Sequence, residues 1–202
     1  NGNEKNDSVP ELTEKADRTL PNGRHGGDLQ GIINNLDYIQ NLGATAVWLT
    51  PVNEDNEKVY SYHGYAQTDL YKIDARYGTN EDYKKLSQEL NKRNMKLVMD
   101  YVTNHWGISH WMIKDLPTKD WIHWFKEGED GFKRSNYKTS TQFDPNASDI
   151  DKKYALDGWF DKTMPDLNQK NPLVLKYLTQ NAIWWIEYAE LGGFRVDTYP
   201  YN

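Results

Sequence analysis

Hydrophobic positions in this chain follow two rhythms that alternate. Residues 1–27 are polar and Gly-rich and predict a loop. From there Leu29, Ile32, Ile33, Leu36, Ile39 and Leu42 recur at helical spacing, with Asp28 as N-cap and Gly43 as the stop. Thr45-Ala46-Val47-Trp48-Leu49 is a nearly continuous apolar run of the kind found in buried parallel strands, and Pro51 ends it. A Tyr-rich loop from Tyr60 to Tyr71 follows. Asn80 with Tyr83, Leu86 and Leu90 then predicts a second helix, and Lys96-Leu97-Val98-Met99-Asp100-Tyr101-Val102 repeats the strand pattern. Regularity returns at Pro172, a residue suited to the first turn of a helix. Leu175, Leu178, Ile183, Ile186 and Ala189 carry that helix to Leu191, and Gly193-Phe194-Arg195-Val196-Asp197 is the last strand.

Helix–strand alternation predicts an α/β protein with a parallel sheet. Residues 106–170 break it, with many Trp, Lys, Asp and Asn and weak periodicity. A structureless connection of that length is implausible, so the stretch predicts an inserted subdomain between a part over 1–105 and a part over 171–202. There is no repeat at solenoid period and no low-complexity tract.

Charge narrows the choice of partners. Lys+Arg 24 against Asp+Glu 30 gives a net charge of −6 with no basic block, which disfavours nucleic acid and anionic membranes. No apolar run approaches the ~20 residues of a membrane span. With no Cys, disulfides and thiolate metal sites are excluded. The opening Asn1-Gly2-Asn3-Glu4 is no secretory signal and reads as the interior of a longer protein. Aromatics are frequent, with 8 Trp and 14 Tyr, and flat rings with polar tips suit sugar faces as well as cores. For Trp106, Trp111, Trp121, Trp124 and Trp159, packing of a small subdomain core is the better expectation for most.

Candidate chemistry gathers at strand ends. Arg195 and Asp197 stand two apart in a strand and share a face. A carboxylate beside a permanent guanidinium stays ionised and oriented, which suits a nucleophile, although a structural ion pair would look the same. Asp100, Asn104, His105 and Asp197 all fall at the carboxyl ends of strands, the active face of α/β sheets and barrels. Separately, Asn1, Asn3, Asn6 and Asp7 with Gly26-Gly27-Asp28 offer several oxygen ligands in two short loops; a solvated Asn-rich loop is the alternative.

Asp100-Tyr101-Val102-Thr103-Asn104-His105 resembles the first conserved region of the α-amylase family (glycoside hydrolase family 13), D-x-x-x-N-H. Gly193 to Asp197 resembles its second, G-x-R-x-D. Met164-Pro165-Asp166-Leu167-Asn168 is similar to the short region near the end of the family's insert, and His63-Gly64-Tyr65 followed by Tyr71-Lys72-Ile73-Asp74 to its loop after the second barrel strand. The four occur in order over essentially the whole chain. The resemblance implies a (β/α)8 TIM barrel, present here as about strands two to four with a subdomain inserted after strand three. It implies a retaining α-glucan hydrolase with Asp197 as nucleophile, Arg195 keeping it ionised, and Asp100 holding the network through Arg195. His105 would hydrogen-bond the sugar at the cleaved position and Tyr65 would stack beneath it. The N-terminal loop resembles the calcium loop of the neopullulanase and cyclomaltodextrinase branch, implying structural Ca²⁺ on Asn1, Asn3, Asn6, Asp7, the Gly26 carbonyl and Asp28. Asn104, a calcium ligand in many other amylases, is as well suited here to a structural hydrogen bond.

There are departures. Thr198-Tyr199-Pro200-Tyr201 stands where many members carry Lys-His, which leaves the acceptor-site preference open. The family's general acid is a Glu after the nucleophile in sequence, expected beyond Asn202; Glu187, on the preceding helix, reads as helix surface. The 202 residues are therefore expected to have negligible glycosidase activity alone and to self-associate through exposed barrel edges. The alternative is a non-catalytic relative that binds sugar or a partner protein. The compartment is not legible, though the periplasm or cell exterior suits a starch-degrading parent.

Overall fold

A computed structural model describes residues 2–58, 61–123 and 133–201. Asp28 is the expected cap: its side chain accepts from Gly31 N. The single helix expected after it is two, α1 (Leu29–Ile33) and α2 (Leu36–Asn41). Asn35 explains the break. Its side-chain amide takes the Gly31 carbonyl at 2.7 Å, and its backbone N–H goes to Ile32 O instead. Asn side chains compete for helix carbonyls in this way. Gly43 ends the unit with φ +82°.

Strand β1 (Ala46–Trp48) leads to a feature absent from the sequence expectation, an antiparallel hairpin of β2 (Asn53–Glu54) and β3 (Asp69–Ile73) where a Tyr-rich loop was expected. β2 is two residues long and polar, too short for a period-2 signal. Helix α3 (Asn80–Lys92) starts in a reciprocal capping box of Thr79 and Asp82. β4 (Lys96–Val102) follows with the predicted bounds, then the insert, whose one α-helix is α4 (Asp149–Leu156) among the described residues. α5 (Pro172–Ala189), capped by Asn171, and β5 (Gly193–Asp197) complete the chain.

The parallel sheet has the order β1-β4-β5, with Asp100 opposite Arg195 and Val102 opposite Asp197. β4 is central and buried from Met99 to Val102. β1 is an edge, and here the buried-strand expectation fails: Ala46 and Trp48 are exposed. α5 likewise turns an unexpected face inward. Val174, Leu178, Asn181, Trp185 and Ala189 are buried, whereas Leu175, Ile183 and Ile186 are exposed.

Two clusters form the core. The first packs Leu29, Tyr83, Leu86, Leu90, Leu97, Met99 and Trp185 between the helices and the sheet. The second joins the insert's Trp106, Trp121, Ile122, Trp159 and Leu167 to Leu70 of β3 and to Val174 and Leu178 of α5. The insert thus shares its core with the rest of the chain. Three of its tryptophans pack as expected, Trp111 is exposed, and Trp124 lies outside the described residues. Among the described residues no helix is long and apolar enough to cross a membrane.

Candidate active site

The parallel register puts Asp100 of β4 beside Arg195 of β5. Arg195 Nη1 lies 3.2 and 3.1 Å from the two Asp100 oxygens and bonds Asp197 Oδ1 at 2.5 Å. One guanidinium therefore holds two carboxylates, and the expected sharing of a face by Arg195 and Asp197 is realised. Asp100 is 1% exposed. Burial pushes its carboxyl upward, opposed by the Arg195 charge and by a bond from Trp48 Nε1 at 3.1 Å. The Asp197 side chain keeps 15% of its surface open. The buried acid anchors and the outer acid stays accessible.

Trp48 went unnoticed in the sequence as anything but strand core. At the carboxyl end of β1, it donates to Asp100 and lies under the Arg195 guanidinium, 5.2 Å from ring centroid to Cζ. The strand-end rule that singled out Asp100 applies to Trp48 equally.

Tyr65 is delivered by a turn only Gly64 can make. Gly64 has φ +79°, and a Cβ there would lie 2.6 Å from the Pro51 carbonyl oxygen. Tyr65 N donates to His63 Nδ1 at 2.9 Å, and Tyr65 Oη reaches Asp100 Oδ2 at 3.4 Å. Burial, then the charges of Asp100 and Asp197, raise its phenol pKa.

His105 is 1% exposed, and burial lowers it to about 4. Both ring nitrogens are engaged: Nε2 with the Tyr65 carbonyl at 3.1 Å, and Nδ1 with Asn104 Nδ2 at 3.2 Å. These partners make Nε2 the protonated nitrogen. The ring stacks on Phe160 at 5.5 Å. In this geometry His105 braces the Tyr65 backbone, and its nitrogens have no place for a sugar hydroxyl unless the Tyr65 contact is exchanged. Among the described residues, the buried Asn104 Oδ1 has no partner. Glu187 is exposed on α5, as expected.

The N-terminal loops do meet. Asp28 Oδ1 accepts from Gly2 N at 2.8 Å and Gly31 N at 2.7 Å; Oδ2 accepts from Asn3 N at 2.7 Å and Asn6 Nδ2 at 3.4 Å. Asn3 Nδ2 donates to Asn6 Oδ1 at 3.4 Å. Asn6, Asp7 and Gly26 line one cavity of about 150 Å³. These donors are all oxygens, which fits a hard cation. The four N–H bonds on Asp28 satisfy the carboxylate without one, and among the described residues no group of three acidic, His or Cys side chains is placed to hold a metal. Asn1 lies outside the described residues.

Comparison with known proteins identifies the family to which this fold belongs. The family description "Alpha amylase, catalytic domain" matches residues 3–202. Alpha-amylase 3 of Dictyoglomus thermophilum is 38% identical over 183 residues, 87% of this chain and 33% of that protein. The solved α-amylase from Anoxybacillus superposes with a TM-score of 0.81 at 39% identity, covering 100% of this chain and 38% of that one. The α-amylase of Geobacillus thermoleovorans, solved with acarbose, gives 0.72 at 34% identity over 96% of this chain and 39% of that one. Other relatives are oligo-1,6-glucosidases and a cyclomaltodextrinase, so the branch within the family stays open. The chain spans a third or less of the length of the curated relatives it matches, and its parallel sheet is part of the family's TIM-barrel catalytic domain. By the match over residues 3–202, this chain belongs to the α-amylase family.

Proposed function

We propose that the chain supplies the nucleophile side of a retaining α-glucan hydrolase acting on starch, maltooligosaccharides, cyclodextrins or pullulan. The observation that carries this reading is the Arg195–Asp197 pair at the end of β5, braced by buried Asp100 across the register. Arg195 occupies Asp197 Oδ1, which leaves Oδ2 to attack the anomeric carbon. The glycosidic C–O bond breaks as a carboxylic acid protonates the leaving oxygen, and water then resolves the glycosyl ester with retention. That acid must sit about 5–5.5 Å from the nucleophile. The family resemblance assigns it to a Glu following Asn202 in sequence, and Glu187 on the outer face of α5 is unsuited to it.

Occupancy of a relative by acarbose supports an α-glucan as the ligand. The N-terminal Asn/Asp loop supports the neopullulanase and cyclomaltodextrinase branch and a structural Ca²⁺ held by Asn3, Asn6, Asp7, Asp28 and the Gly26 carbonyl. For the ion to bind, Asp28 exchanges part of its N–H bonding for the metal. Melting curves in Ca²⁺ and in chelator test this. A cation at 100 times its Kd adds about 2.7 kcal/mol, and coincident curves would remove the calcium assignment.

A 5-fluoro-α-glycosyl fluoride tests the nucleophile without needing the acid, because fluoride leaves unassisted. The expected result is a covalent adduct on the peptide holding Asp197 and none in Asp197→Asn. An unlabelled parent that still binds maltoheptaose would instead support a non-catalytic sugar-binding relative. In the complete enzyme Asp197→Asn should lower kcat on the order of 10⁴-fold.

A further inference from the structure

Trp111 is the exception among the described tryptophans of the insert. Trp106, Trp121 and Trp159 are at most 5% exposed, whereas Trp111 is 64% exposed. Its ring nonetheless lies at the outer end of an aromatic row. It stacks on His110 at 5.7 Å and 22°, and His110 stacks on Trp106 at 3.8 Å and 7°. His110 Nδ1 also accepts from Met112 N at 3.2 Å, capping the short helix Trp111–Lys114 that carries the indole. Burial lowers His110 to about 3, so this support stays uncharged at neutral pH. A ring backed in this way loses less rotamer freedom on binding than an unsupported one.

Beside the indole runs an open groove of about 480 Å³ lined by Glu54, Asn56, Thr68, Asp69 and Ser109. Several of their side-chain oxygens already bond within the protein, and each keeps capacity to accept a second bond: Thr68 Oγ1 lies 3.3 Å from Glu54 Oε1, Lys72 Nζ lies 2.6 Å from Glu54 Oε2, and Asn56 Oδ1 accepts from Thr13 N at 2.8 Å. Asp69 uses one carboxylate oxygen for Tyr71 N at 2.9 Å, and among the described residues its second oxygen and Trp111 Nε1 have no hydrogen-bond partner. None of the residues around Asp197 lines the groove.

We propose that this groove is an accessory binding site for a hexopyranose chain, distinct from the cluster at Asp197, with Trp111 as its platform. A pyranose presents an apolar C–H face that matches a flat indole, and hydroxyl donors around the ring edge that match carboxylate and amide oxygens. Asp69 gives the lining a negative charge that disfavours polyanions, while Glu54 is paired with Lys72 at 2.6 Å. The identity of the sugar as an α-glucan rests on the hydrolase reading above; the site itself rests on Trp111 and the groove.

The test is a titration of ¹⁵N-labelled protein with maltoheptaose, following the Trp111 indole N–H resonance, assigned by its loss in Trp111→Phe. Maltoheptaose should shift that resonance, and Trp111→Ala should weaken sugar binding at the groove at least fivefold. Trp111 is mostly exposed, so the variant folds. A Trp111 resonance unmoved by maltoheptaose, or moved only by oligolysine, overturns the proposal. Labelling of Asp197 by the 5-fluoroglycosyl group on the same sample separates the two claims. A label without a Trp111 shift defeats the accessory site alone, and a shift without a label defeats the hydrolase reading alone.

Discussion

Two buried titratable side chains, His110 and Asp55, are each driven toward the neutral form, and they tilt stability in opposite directions with pH. His110 is lowered from 6.5 to about 3 by burial. Its contribution is full above pH 6.5 and is lost as pH falls toward 3, because the unfolded chain gains a proton the folded one refuses. Asp55, 0% exposed, is raised from 3.8 to about 7 by burial, against backbone bonds from Glu57 and Ala66. Its contribution is full below 3.8 and is lost as pH rises through 7. Between pH 4.5 and 6.5, His110→Asn should remove a slope of up to about 1.4 kcal/mol per pH unit, making stability less dependent on acid loss. Asp55→Asn should remove a slope of the opposite sign. Urea unfolding across that range reads both, and profiles parallel to the parent would show that neither group titrates as described. At this same scale the sequence was readable where geometry is local. Arg195 and Asp197 share a face by strand alternation alone. Trp48 was not legible, because its bond to Asp100 depends on a pairing 52 residues away, and apolar neighbours made it look like core.

Elements with a strong local signal came out with their predicted bounds, and those depending on one side chain did not. β4 occupies Lys96–Val102 as read, and α3 begins at Asn80, the residue that marks it in the sequence. The split between α1 and α2 turns on Asn35 capturing the Gly31 carbonyl, which hydrophobic periodicity cannot register. α5 shows the same limit. Its apolar residues surround most of the helix, so spacing could not say which face is inside. The deciding residue is polar: Asn181, 0% exposed, accepts from Tyr101 Oη at 3.0 Å and donates to Leu70 O at 3.0 Å, tying α5 to β3 and β4. The single Tyr101 Oη proton is shared with Leu178 O at 2.7 Å, and Leu70 O also accepts from Trp185 Nε1 at 2.8 Å. Asn181→Leu leaves Tyr101 and Leu70 O with those bonds but takes a side-chain partner from Tyr71, and should cost about 1–3 kcal/mol rather than unfold the chain. A neutral or stabilising result in denaturant unfolding would mean the clamp contributes nothing.

Over the whole molecule, apolar surface lies where a barrel would be closed. β1 and β5 are open sheet edges with exposed Trp48 and Val196; α2 exposes Tyr38 and Leu42, and the outer stripe of α5 exposes Leu175, Ile183 and Ile186. In a (β/α)8 barrel, strand pairing removes such edges and the ring of helices covers such stripes. The chain spans a third or less of its curated relatives, so these 202 residues on their own present both features to water. Unpaired strand edges next to exposed Leu and Ile favour contact between copies. The 202-residue chain should therefore sediment as a mixture whose mean mass rises with concentration. Leu175→Lys combined with Ile183→Lys should shift it toward monomer, because both positions are exposed and tolerate charge without disturbing the Val174–Leu178–Trp185 face. Monomer at every concentration would show that the open edges are protected by their own twist and flanking charge. Unchanged association in the double variant would place the contact on the β1 and β5 edges instead of on α5.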